Sequence, residues 1–147
     1  MIEDFRDILT ACTESGVRFL VVGAHALAAH GVPRVTGDLD LWVDPTAENA
    51  ARVWAALARF GAPLESLGVR QTDLVAADRV IQLGLPPYRI DVLTGLTGIR
   101  FDHAWPDRLA GTLFGVPVSF LGREAFILNK RASGRPKDLA DLRALGA

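Results

Sequence analysis

Three aspartates carry the chemistry this sequence could do. Asp38 and Asp40 stand two apart in the run RVTGDLDLWVD, residues 34–44. If Asp38 to Val43 is a strand, both carboxylates point to one face, and Leu39, Leu41 and Val43 point to the other. One face is then core and the other chemistry. With no Lys or Arg between them the two acids repel unless a cation intervenes, and all-oxygen ligation of that kind suits Mg²⁺ or Mn²⁺. An Asp-x-Asp alone is more often the mark of a solvated surface strand, so the context decides. Asp91 adds to it: in Tyr88 to Leu93, Tyr88, Ile90 and Val92 alternate with Arg89, Asp91 and Leu93. A lone carboxylate on such a half-apolar strand is usually paired with an Arg or bound to a metal.

Two further features would complement a polyphosphate. Val17 to Val22 reads as a buried strand running into Gly23 and Ala24, then a short helical stretch, Ala24 to His30, ended by Gly31. A strand, a glycine turn and a helix start can present backbone N–H groups to an anion, although many α/β turns need glycine for geometry only. Late in the chain, residues 122–137 hold Arg123, Lys130, Arg131, Arg135 and Lys137 against Glu124 alone, and Lys130 and Lys137 are the only lysines of the sequence. That cluster is either a solvated helix face or an electrostatic clamp.

The elements that must position these groups follow from periodicity. Ile2, Phe5, Ile8, Leu9 and Cys12 recur at helical spacing, with Gly16 as the stop. Asp44 followed by Pro45 reads as an N-cap and first helical residue, leading a stripe of Ala50, Val53, Trp54, Leu57 and Ala58 that Gly61 closes. Residues 62–78 are irregular, with one short helical turn expected near Asp73 to Ala77. Val80 to Leu83 and Tyr88 to Leu93 are strands joined through Gly84, Leu85, Pro86 and Pro87. Thr97 to Leu109 reads as loop and short helix. Thr112 to Phe114 and Val116 to Leu121 form a hairpin, and helices over Arg123 to Ala132 and Pro136 to Leu145 finish the chain.

Composition sets the bounds. At 147 residues and 50% hydrophobic, the chain fits a single domain, residues 1–147, with a real core. A net charge of −1 gives no global basic footprint, so any nucleic-acid contact must be local. The one cysteine, Cys12, lies in the apolar stripe of the first helix and reads as a buried thiol. His25 and His30 are five apart and His103 is remote, which is poor spacing for zinc. No apolar run nears the length of a membrane span and no secretory pattern opens the chain, so a cytoplasmic location with no membrane partner is expected.

Three carboxylates able to place two divalent ions roughly 3.5 to 4 Å apart, with a phosphate-binding turn, suit in-line phosphoryl displacement. In that combination the chain resembles the nucleotidyltransferase superfamily with the DNA polymerase beta-like fold, nearest its small bacterial members beside the abortive-infection (AbiEii-like) toxins. The matches are Gly23 with Ala24 (a position that is usually serine), Asp38 with Asp40, and Asp91 in its strand. The toxin-like branch adds Arg34 and Thr36, Lys130, and the helix motif of Lys137, Asp138, Asp141 and Leu142.

The resemblance implies an α/β fold, a mixed β-sheet flanked by helices. It implies that Asp38 and Asp40 ligate two Mg²⁺ or Mn²⁺ ions, and that Asp91 completes one site and serves as general base. Gly23, Ala24, Arg34, Thr36, Lys130 and Arg135 would bind the nucleotide, with the cations neutralising triphosphate and pyrophosphate. Asp138 is expected to cap or salt-bridge the last helix. The implied reaction moves a nucleoside monophosphate from an NTP such as ATP to a hydroxyl on RNA or tRNA, protein or a small molecule. A role in a toxin–antitoxin pair, a partner protein or a homo-oligomer fits the same resemblance. The competing expectation is a catalytically silent module of this fold that binds a nucleotide or a partner, as an antitoxin would.

Overall fold

The computed structural model describes residues 2–147. Six strands form one mixed sheet: β1 (Phe19–Val22), β2 (Asp38–Val43), β3 (Val80–Leu85), β4 (Tyr88–Leu93), β5 (Leu109–Leu113) and β6 (Val116–Phe120), in the order β3-β4-β2-β1-β6-β5. β2 runs parallel to β4 and antiparallel to β1, and β6 runs parallel to β1. The edges, β3 and β5, are antiparallel to their neighbours. α1 (Ile2–Glu14) precedes the strands, and α2 (Gly23–Ala29), α3 (Ala47–Phe60), α4 (Phe101–Ala104), α5 (Arg123–Ser133) and α6 (Pro136–Ala144) lie between and after them.

Helices cover both faces of the sheet. On one, Phe5, Ile8, Leu9 and Cys12 of α1 and Val53, Ala56 and Leu57 of α3 pack against Leu39, Leu41, Val43, Ile90 and Val92. On the other, Ala26 and Leu27 of α2, Phe101 of α4 and Phe126 of α5 pack against Leu20, Val22 and Trp42. The face that carries Asp38 and Asp40 is therefore not free for chemistry along its whole length. Two residues beyond Asp40, Trp42 is 1% exposed and meets Phe101 edge-to-face with ring centroids 5.1 Å apart. The acids occupy the end of this face that the second core leaves open. Cys12 is buried, and burial pushes its thiol up to about 12.

Several local expectations shift. The N-cap of α3 is Thr46 rather than Asp44: the Thr46 hydroxyl accepts a hydrogen bond from the Asn49 N–H at 3.3 Å, and Pro45 lies outside the helix. Gly61 ends α3 in the left-handed region. Ala56 rather than Ala58 completes the buried stripe, and Trp54 is half-buried. The turn in residues 62–78 is a 3-10 helix at Gln71–Leu74, earlier than expected. β5 begins at Leu109, and its residues are too exposed to show the apolar alternation that would have marked it. Among the described residues, no helix is long and apolar enough to cross a membrane.

Candidate active site

Strand register brings the acids together. In the parallel pair of β2 and β4, Asp40 stands opposite Asp91 and Asp38 opposite Arg89. Period-two alternation then puts Asp38, Asp40, Arg89 and Asp91 on one face. The strands form because every other residue has a core to join: Leu39, Leu41, Ile90 and Val92 are all buried. The same alternation that hides these four delivers the polar four to the opposite side.

The start of the acid strand is braced from its neighbours. The Thr36 hydroxyl accepts the Asp38 N–H at 3.0 Å, and the Gly37 carbonyl accepts the Arg89 N–H at 3.0 Å, locking the first rung of the β2–β4 ladder. Gly37 also admits the Pro87 carbonyl, which a Cβ would obstruct. Sequence reasoning passed over Gly37; its signal was a glycine directly before an acid pair.

Gly23 takes part through Asp40. It has a φ of +68°, and a Cβ there would meet the Asp40 carboxylate. Val22 pairs with Asp40 in the β1–β2 ladder, so the chain turns into α2 over the acid site. The glycine turn thus meets a carboxylate of the protein itself. Ala24 follows in the first turn of α2, and its methyl brings no hydroxyl to the site.

The acids are imperfectly compensated. Burial, reinforced by the charges of Asp91 and Asp38, pushes the Asp40 carboxyl up to about 6, with Arg89 acting in the opposite direction. Arg89 reaches both other acids: its Nη2 lies 3.5 Å from Asp38 Oδ2 and 3.3 Å from Asp91 Oδ2, and its Nε lies 3.1 Å from Asp91 Oδ1. The last contact is close but misaligned, leaving Nε and Oδ1 buried without a hydrogen bond. Nearby, His25 has its imidazole pKa lowered by burial, partly opposed by the Asp38 backbone, and its Nε2 has no hydrogen-bond partner.

The expected cations are engaged elsewhere. Arg34 Nη2 is 2.6 Å from Asp141 Oδ1. Lys130 Nζ is 3.5 Å from Asp138 Oδ1. Arg135 gives its Nε to Asp138 Oδ2 at 2.8 Å and its backbone N–H to the same oxygen at 3.2 Å. Asp138 is fully buried, and the Arg135 hydrogen bonds hold its carboxyl below the usual range. Arg34, Lys130 and Arg135 therefore hold α6 in place through its two buried acids. The reading of Asp138 as a capping and salt-bridging residue agrees with this geometry.

The donor set is all carboxylate oxygen, and the orphaned Asp91 Oδ1 and raised Asp40 carboxyl fit a hard divalent cation. Among the described residues, no three acid, His or Cys side chains are grouped as a ready-made metal cage. A cavity of about 1110 Å³ opens elsewhere, lined by Trp42, Asp44, Thr94 and Phe101 among others. None of the site residues expected from the sequence lines it.

A mixed α/β structure with a six-stranded mixed sheet flanked by helices, built on these connections, is a nucleotidyltransferase-like fold. It is similar to the crystal structure of a putative nucleotidyltransferase from Thermotoga maritima, with a TM-score of 0.60 over 95% of this chain and 88% of that one, at 18% sequence identity. No family model matches the sequence, and no curated protein does.

Proposed function

We propose that this protein is a metal-dependent nucleotidyltransferase that moves a nucleoside monophosphate from an NTP to a hydroxyl acceptor. The observation that carries the reading is the register of Asp40 against Asp91, with Asp38 on the same face, inside a nucleotidyltransferase-like fold. Asp38, Asp40 and Asp91 would hold Mg²⁺ or Mn²⁺. When bound, the ions would supply Lewis-acid stabilisation of the attacked phosphate and the leaving pyrophosphate. Asp91, which is buried and opposite Asp40 in the ladder, would accept the proton of an attacking hydroxyl. Gly23 keeps the Asp40 carboxylate uncrowded, and Thr36 fixes the backbone that aims Asp38. The match of Arg34, Thr36, Lys130 and the Lys137-to-Leu142 motif to toxin nucleotidyltransferases supports a toxin–antitoxin setting. RNA or protein would then supply the acceptor.

Incubation with each labelled NTP, Mg²⁺ or Mn²⁺, and total RNA or cell protein tests the reading by label transfer and pyrophosphate release. Transfer by the native protein and its loss in Asp40→Asn are expected. A native protein that transfers no label from any NTP would overturn it. A second reading, a silent nucleotide- or partner-binding module, is favoured by one observation: Arg34, Lys130 and Arg135 are all spent on α6, and Arg89 on the acids themselves. Nucleotide binding without any turnover would select it.

A further inference from the structure

We propose that Arg89 is a built-in counter-ion that occupies the acid face and is displaced when a divalent cation binds there. The inference rests on the metal-binding part of the function proposed above. Arg89 is two residues from Asp91 on β4 and directly across from Asp38, so its side chain lies over the face the acids share. It is held inward, with only 30% of the side chain exposed. Among the described residues its guanidinium is the cation within ion-pair distance of Asp38 and Asp91, and Asp40 takes no ion pair. One positive charge faces three carboxylates, which leaves the cluster undercompensated.

The quality of the pairing argues for displacement rather than permanent residence. A structural arginine at a carboxylate normally makes two parallel, aligned hydrogen bonds. Here Arg89 touches Asp91 at two points, Nη2 to Oδ2 at 3.3 Å and Nε to Oδ1 at 3.1 Å. The second is too misaligned to be a hydrogen bond and leaves Nε and Oδ1 unsatisfied although buried, while Asp38 Oδ2 is 3.5 Å from Nη2. Arg89 is held by charge more than by geometry, and a small divalent ion that binds the same oxygens replaces it on better terms. Its side chain has somewhere to go: β4 starts next to the β3–β4 turn, and residues Gly84 to Tyr88 are all exposed. Metal affinity is thus the difference between binding the ion and releasing the guanidinium. The acids meanwhile avoid standing together without a cation.

Calorimetric titration with Mn²⁺ alone tests this without any turnover, on the native protein, Arg89→Gln, Arg89→Lys and Asp40→Asn, with melting curves on each. Removing the competing charge in Arg89→Gln should tighten Mn²⁺ binding about tenfold. The same variant should also melt lower without metal and show a larger Mn²⁺-induced rise in melting temperature than the native protein. Arg89→Lys, which keeps the charge, should stay close to native affinity. Asp40→Asn should lose the binding. If the native protein binds Mn²⁺ through Asp40 and Arg89→Gln binds it equally or more weakly, the counter-ion proposal fails while the metal site stands. If neither the native protein nor Arg89→Gln binds Mn²⁺, both fall.

Discussion

Gly23 and Asp40 pack so closely that a Cβ on Gly23 would run into the Asp40 carboxylate. The turn after β1 and the acid of β2 are therefore one structural unit, and glycine is required twice over, by that contact and by a φ of +68°. Gly23→Ala should cost about 1–3 kcal/mol through backbone strain and the displaced carboxylate. Urea denaturation measures it; a variant as stable as the native protein would mean that neither the Asp40 contact nor the positive φ constrains this position. If the proposed reaction holds, the same variant loses turnover, because the carboxylate it displaces belongs to the metal site.

Acid should act on the protein through α6. Asp138 has a carboxyl pKa held below the usual range, chiefly by the Arg135 hydrogen bonds, and the charge of Lys130 acts in the same direction. Such a group stays ionised in the folded protein at a pH where the unfolded chain has already taken up its proton. Its contribution is complete above the unfolded value, near 4, and is lost as pH falls through the lower folded value. Melting temperatures measured downward from pH 5 should fall more steeply for the native protein than for Asp138→Asn. Equal slopes would show that the ion cluster contributes nothing to acid stability.

The acid strand was legible because its chemistry and its packing have the same period. Asp38 and Asp40 alternate with Leu39 and Leu41, and Arg89 and Asp91 with Ile90 and Val92, so the bounds of β2 and β4 and their shared face follow from residue types alone. What alternation cannot carry is what covers a face. Trp42 continues the acid side of β2, yet it is buried under Phe101, which comes from a helix about sixty residues later. The same limit applies to the cations. The cluster from Arg123 to Lys137 was visible, but its partners were not: Asp138 folds back on Lys130 across the break between α5 and α6. Arg34 finds Asp141 from the loop before β2. A long-range ion pair leaves no local period to read.

The late cluster gives the last prediction, which separates a clamp on substrate from a clamp on the fold. Lys130 is largely buried, with 12% of its side chain exposed, and its ammonium stands 3.5 Å from Asp138 and 5.1 Å from the Phe126 ring centroid. Lys137, in the first turn of α6, is exposed. Lys130→Ala leaves buried Asp138 to Arg135 alone and should cost about 1–3 kcal/mol, whereas Lys137→Ala should stay within about 0.5 kcal/mol of the native protein. Lys130→Met keeps the apolar stem and removes only the charge, so it divides that loss between packing and ion pairing. In a double-mutant cycle, Lys130→Met and Asp138→Asn should be non-additive by about 1 kcal/mol, because each removes the partner of the other. Strict additivity, with full stability in Lys130→Met, would mean that the lysine does not hold α6. Its charge would then be free to face a triphosphate.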